Sequence, residues 1–126
     1  MYTSYFAKLS ELKNPISISR YSPSWYMGIE YKKLAPDSAI LLAYKNKEID
    51  DREYTKRFLL QLSALDPHMV YAELRKIHKS KVFCLLCYEK PSDFCHRHLV
   101  RDWLNTNLNL KNPITEYSRA PTVGLF

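Results

Sequence analysis

Val82-Phe83-Cys84-Leu85-Leu86-Cys87-Tyr88 decides the fold of this chain. The run is too apolar to be half-exposed, so it predicts a buried central strand. After residues 89–94 come Cys95-His96-Arg97-His98 and an amphipathic run from Leu99 to Leu108, an order typical of strand, loop and helix. A thiol, two imidazoles and a guanidinium therefore stand at the start of a helix, where unpaired N–H groups and the helix dipole favour a thiolate or a bound phosphate.

Strands and helices alternate along the rest of the chain. Tyr2 to Phe6 is short and β-prone, and Ile16-Ser17-Ile18-Ser19 alternates apolar with polar residues as a half-buried strand does. Helices are predicted to begin at Pro36-Asp37-Ser38, at Asp50-Asp51-Arg52-Glu53 and at Asp66-Pro67. This alternation predicts an α/β fold with a mainly parallel sheet.

Ligands of such sheets bind outside the carboxyl ends of the strands. Arg20 follows one predicted strand and Glu89 follows the other, so both are expected at one cleft although they are distant in sequence. Trp25 and Tyr26 come soon after Arg20, and an arginine beside aromatic rings can hold a base by stacking and a phosphate by charge. The alternative is that Trp25 covers the sheet and Arg20 packs on it.

Cys95 is the candidate nucleophile, because a helix N-terminus with a neighbouring arginine and histidine lowers the pKa of a thiol. The alternative is a thiol that merely fits a tight turn. His96 is a candidate general acid or base, with Glu89 as a second proton carrier. His96 and His98 point to different sides of a helix, so at most one of them is expected to share a site with Cys95.

Arg97 is the candidate anion-binding residue, since its guanidinium can make a bidentate contact with phosphate or carboxylate. The alternative is a salt bridge to Glu89, Asp93 or Asp102. The sequence leaves both open.

Three cysteines, two of them in the apolar run, indicate free thiols and a reducing compartment. A zinc site built from Cys84, Cys87, Cys95, His96 and His98 has the right ligand types. However, residues three apart on a strand point to opposite faces, so Cys84 and Cys87 are interpreted as small core residues and no metal site is predicted.

The composition limits the class of protein and the kind of partner. The chain has 126 residues and a formal net charge of +6, which suits a phosphorylated small molecule, a nucleotide or a nucleic acid as partner. Two glycines disfavour a Gly-rich phosphate loop, and the sequence identifies no cofactor. We find neither a membrane span nor a signal peptide, so a cytoplasmic location is expected.

Over most of its length, and most strongly from Val82 to Leu104, the chain resembles the family of domain of unknown function 488, through Cys87-Tyr88-Glu89 and Cys95-His96-Arg97. Ile16-Ser17-Ile18-Ser19-Arg20 stands where that family has a strand ending in Asp-Val-Arg, although Ile18 replaces its acidic residue. The resemblance implies a compact, three-layer, Rossmann-like α/β domain over residues 1–126. It also implies site roles for Arg20, Glu89, Cys95, His96 and Arg97, and a bacterial or phage origin.

The sequence leaves three functions open. The first is a small α/β protein that binds, and acts on, a phosphorylated or nucleotide-like ligand at the strand ends. The second is a non-enzymatic accessory module that binds nucleic acid or a protein partner, with Cys95-His96-Arg97 as a structural turn. The third is a redox or metal-linked thiol protein, which predicts stoichiometric zinc or reversible oxidation of Cys95.

Overall fold

The computed structural model describes residues 1–89 and 93–118. Residues 90–92 of the predicted loop, and 119–126 of the predicted domain, lie outside the described residues. In the described part of the chain, five strands form one sheet in the order β3-β2-β4-β1-β5, and every pair is parallel. The strands are Tyr2–Tyr5 (β1), Pro15–Ser17 (β2), Ile29–Glu30 (β3), Cys84–Cys87 (β4) and Thr115–Glu116 (β5). The helices are Ser38–Lys45 (α1), Asp51–Ser63 (α2), Pro67–Ile77 (α3) and His96–Asn107 (α4).

The predicted central strand is confirmed. All four residues of β4 are buried, and β4 lies between β1 and β2 in register with both. The side chain of Leu85 packs into the large core on one face of the sheet, whereas Cys84 and Leu86 pack into a smaller cluster on the other face. A strand buried on both faces needs apolar residues at every position, which is why its sequence does not alternate.

The helices begin where their capping residues predict. Asp50 accepts a hydrogen bond from the Glu53 backbone N–H and starts α2, and Asp66 accepts one from the His68 N–H and starts α3 with Pro67 in the first turn. These side-chain acceptors satisfy N–H groups that the helix leaves unpaired. The apolar stripes of all four helices meet in one core with β2 and β4.

The two faces of the sheet are covered unequally. The four helices lie on one face, and a 3₁₀ turn at Phe6–Glu11, together with Tyr26, covers the other. The predicted three-layer, Rossmann-like α/β class is therefore confirmed, with a thin third layer. The edge strands β3 and β5 have two residues each, too few to show an alternating pattern, and the sequence did not predict them.

Among the described residues, no helix has the length and apolarity that a bilayer crossing requires.

Candidate functional site

A cavity of about 330 Å³ opens at the carboxyl ends of β2 and β4. This is the edge at which parallel α/β sheets bind their ligands. The cavity wall is largely aromatic, and its rings belong to Tyr21, Tyr44, Tyr54, Tyr88 and Phe94. Tyr44, Tyr54 and Phe94 form a mutual cluster with ring centroids 5.0–5.7 Å apart.

Four of the residues singled out in the sequence line this cavity, namely Arg20, Glu89, Cys95 and His96. They converge because β2 and β4 are hydrogen-bonded neighbours that end at the same edge, and because α4 begins beside the end of β4. The cleft that the sequence predicted between these segments is present.

Trp25 and Tyr26 do not line the cavity. Their rings pack edge-on against Phe6, and the buried Tyr26 hydroxyl donates to the Ile29 carbonyl. Of the rings that line the cavity, Tyr44 belongs to α1, Tyr54 to α2, and Tyr88 and Phe94 to the segment between β4 and α4, whereas Tyr21 directly follows Arg20. The loop then turns towards the thin layer, so Tyr26 packs into the cluster on the opposite face of the sheet and Trp25 contacts that cluster through Phe6.

Arg97 does not line the cavity either. Its side chain is fully buried, and its Nε and Nη2 donate to the Glu116 carboxylate over 3.1 and 2.8 Å. Nη1 donates to the Glu89 carbonyl over 2.6 Å and to Cys87 Sγ over 3.2 Å. The anion that Arg97 binds is thus a carboxylate of this chain on β5, and not one of the three partners that the sequence analysis considered.

His96 is buried and held by the end of β2. Its Nε2 lies 2.6 Å from the Ile18 carbonyl oxygen, which can only accept, so Nε2 carries the proton and Nδ1 presents a lone pair. Nδ1 lies 3.9 Å from Cys95 Sγ. Burial, reinforced by the nearby Arg97 cation, lowers the pKa of His96 to about 4, so the ring is neutral at physiological pH.

His98 lies away from the cavity, with its Nδ1 3.3 Å from Arg101 Nη1 and 4.0 Å from the Glu116 carboxylate. Burial lowers its pKa, and the Arg97 charge acts in the same direction. The two histidines of the motif therefore face different surroundings.

The prediction of free thiols is wrong for two of the three cysteines. Cys87 and Cys95 are joined as a disulfide, whereas Cys84 is free and buried on the other face. Burial raises the pKa of Cys84 to about 12. The side chain of Cys87 points to the same face of the sheet as that of Leu85, the face covered by helices, and contacts Cys95 at the start of α4. Apart from the positions of the two cysteines at the ends of neighbouring elements, the sequence gives no indication of this pairing.

Arg20 and Ser19 supply polar donors to the cavity. Arg20 donates from Nε to the Pro36 carbonyl and from Nη2 to the Ala35 carbonyl, which fixes its guanidinium at the rim, and its Nη1 makes no hydrogen bond to the described residues. Ser19 is 4% exposed, and its Oγ has no hydrogen-bond partner in the described part of the chain. Sequence reasoning did not identify Ser19, because a single serine at a strand end carries no signal.

A family model described as the active DUF488-N3 subclade matches residues 9–108. The match spans the cavity and the Cys95-His96-Arg97 motif, and it leaves out β1 and β5. No curated protein and no solved structure matches the chain.

Proposed function

The chain belongs to the DUF488 family, and from that premise we propose that its cavity binds, and acts on, a nucleotide-like or otherwise phosphorylated small molecule. The description of the matched subclade as active supports an enzyme over a purely structural module. The volume of about 330 Å³ lies at the lower end of small-molecule sites, which favours a single nucleotide over a larger ligand.

The observation that carries this proposal is a set of unused donors in an aromatic cavity. Among residues 1–89 and 93–118, Ser19 Oγ and Arg20 Nη1 have no acceptor, and the Cys95 side chain makes no hydrogen bond to the first N–H groups of α4. A buried donor without an acceptor costs about 1–3 kcal/mol, which a ligand oxygen recovers. Phosphate oxygens suit all three donors, since one is a cation and one is the positive end of a helix dipole.

The aromatic wall suits the rest of such a ligand. Tyr44, Tyr54 and Phe94 offer ring faces and edges to a planar base, and Tyr88 is held beside the mouth by a 2.6 Å hydrogen bond from its hydroxyl to the Tyr21 carbonyl. Stacking of a base on an aromatic ring contributes about 1–3 kcal/mol.

The chemistry is assigned to three groups on the cavity wall. Glu89 presents an exposed carboxylate for proton transfer, and His96 presents the Nδ1 lone pair. Cys95 acts only as a thiol, because the disulfide with Cys87 occupies its sulfur. We therefore propose that the reduced protein is the active form, which agrees with a cytoplasmic location.

Ligand-induced thermal stabilisation tests the proposal. Nucleosides, nucleoside monophosphates and inorganic phosphate are titrated into reduced protein, and the monophosphates should stabilise it most, by about 2.7 kcal/mol at 100 times the dissociation constant. Arg20→Gln should weaken monophosphate binding roughly 10- to 100-fold, the loss expected for a charged hydrogen bond. Ser19→Ala should weaken it less, and Arg52→Gln, on an exposed face of α2, should not change it.

Two outcomes would contradict the proposal. Equal stabilisation of wild type and Arg20→Gln would show that the ligand binds elsewhere. Binding of a single-stranded oligonucleotide with steep salt dependence, together with no response to mononucleotides, would favour the accessory nucleic-acid module instead.

A further inference from the structure

The floor of the cavity gathers three ligands of a kind that transition metals prefer. Cys87 Sγ, Cys95 Sγ and His96 Nδ1 or Nε2 all lie within 4.8 Å of one another, and all three residues are buried. No other such cluster of cysteine, histidine and carboxylate ligands occurs within residues 1–89 and 93–118. We propose that the reduced protein binds one Zn²⁺ through Cys87 Sγ, Cys95 Sγ and His96 Nδ1, with the fourth coordination position facing the cavity.

The orientation of His96 is that of a metal ligand. Its Nε2–H donates to the Ile18 carbonyl over 2.6 Å, which fixes both the tautomer and the ring plane and leaves Nδ1 turned to the sulfur of Cys95 at 3.9 Å. Histidine ligands of metals usually donate their second ring N–H to a carbonyl or carboxylate in this way. Phe58 holds the ring edge-on from the helical side, with centroids 5.5 Å apart.

Arg97 favours the thiolate form that a metal requires. Its Nη1 donates to Cys87 Sγ over 3.2 Å, so a guanidinium charge lies against the sulfur. Glu116 compensates this charge from the far side through two hydrogen bonds, which keeps the surroundings of the two thiolates close to neutral when they hold a divalent ion.

The spacing of the backbone also suits an ion between the sulfurs. The Cα atoms of Cys87 and Cys95 lie 7.3 Å apart, so that in the reduced protein both sulfurs can reach one metal ion between them. Both cysteines stand on element ends that the sheet and α4 hold in place. Two sulfurs at about 2.3 Å from one zinc ion need a wider separation than a direct bond between them.

The ligand set indicates which metal binds and what it does. Two thiolates and one imidazole suit Zn²⁺, and three protein ligands with an open fourth position are typical of catalytic zinc sites, whereas structural sites have four. All three residues line the cavity, so the open position faces the proposed ligand. This inference deepens the proposed function, on which it rests, and changes two of its roles. Cys95 and His96 would serve as ligands of the metal, and the metal would hold a water or a ligand oxygen beside Glu89.

The disulfide and the metal site exclude each other because they use the same sulfur atoms. A dithiol reductant transfers two electrons and two protons to the Cys87–Cys95 disulfide, which gives two thiols and a disulfide of the reductant. Zn²⁺ then binds both sulfurs and His96 Nδ1, and two thiol protons pass to water.

Cobalt substitution tests the site directly. Reduced, full-length protein is titrated with Co²⁺, and thiolate-to-cobalt charge-transfer and tetrahedral d–d bands should grow to one equivalent and disappear when Zn²⁺ is added. Cys84→Ala is the matched control, because Cys84 faces the other side of the sheet, and it should bind Co²⁺ as wild type does. Cys87→Ser and Cys95→Ser should lose the charge-transfer intensity and weaken zinc binding at least 100-fold.

His96→Gln separates ligation from folding, since a glutamine Nε2 can still donate to the Ile18 carbonyl but supplies no Nδ1. It should fold and bind zinc at least 100-fold more weakly. Absence of thiolate bands in reduced wild-type protein, or their persistence in Cys87→Ser, would overturn the metal site. If nucleotides still stabilise metal-free Cys87→Ser, the proposed ligand pocket does not depend on the metal site. If cobalt bands form but nucleotides do not stabilise the protein, the metal site is present and the proposed nucleotide function is wrong.

Discussion

Glu116→Gln is expected to destabilise the protein far more than its position on a two-residue edge strand suggests. The Glu116 carboxylate accepts hydrogen bonds from Nε and Nη2 of Arg97 and, over 2.6 Å, from the Thr3 hydroxyl. The Arg97 side chain is fully buried. The substitution keeps the size of the side chain, removes its negative charge and replaces one of its two acceptor oxygens by an N–H donor. A buried guanidinium is then left without a counter-charge.

The expected cost follows from this burial. Loss of one partner from a buried ion pair costs about 3–5 kcal/mol. Glu116 retains 18% exposure, so we expect the lower end, about 3 kcal/mol. With an unfolding entropy of about 2.1 cal/mol/K per residue over 126 residues, the melting temperature should fall by about 11 °C.

Urea denaturation and thermal scans of the variant measure this cost. Glu53→Gln is the matched control, because the Arg57–Glu53 pair on α2 is exposed on both sides and should cost less than about 1 kcal/mol. A double-mutant cycle with Arg97→Met should give a coupling energy above about 1 kcal/mol, against less than about 0.5 kcal/mol for the α2 pair. Equal, small losses for Glu116→Gln and Glu53→Gln would refute the reasoning, because they would mean that water solvates the Arg97 guanidinium.

Three further predictions concern acid, thiols and the core. In metal-free protein, lowering the pH from 7 to 5 should reduce the free energy of unfolding by about 2 kcal/mol through His96, because the unfolded ring is protonated below about pH 6.5 and the native ring only below about pH 4. Urea titrations should show that this loss is absent in His96→Gln and present in His68→Gln. In air-oxidised, metal-free protein, a thiol reagent at pH 8 should find no thiol in the native state and only Cys84 after denaturation, and fast native labelling would contradict its burial. Leu85→Ala should cost about 2–5 kcal/mol because Leu85 is fully buried, whereas Leu60→Ala on the exposed side of α2 should lower the urea midpoint hardly at all.

The sequence predicted correctly those cavity residues whose place depends only on the position of the backbone. Arg20 at the end of one strand and Cys95 at the start of one helix reach the same cavity because parallel neighbours end at one edge. It failed where the direction of a side chain decides the role. Arg97 lies one residue after His96, yet a turn of about 100° on the helix sends it to β5 and away from the cavity. Tyr26 packs on the opposite face of the sheet, which the sequence did not predict because a loop has no periodic pattern of apolar residues.

By itself, the sequence determined the class of fold and the edge of the sheet at which the cavity opens. An unbroken apolar run specifies a strand buried on both faces, and acidic caps with proline specify where helices begin, because both signals act on neighbouring residues. Only the tertiary structure decided that Tyr44 and Tyr54 face the cavity, that Glu116 pairs with Arg97, and that Cys87 meets Cys95 beside His96. Those contacts join elements far apart in the chain, and their geometry is set by how helices pack and rotate on the sheet, which no local pattern records.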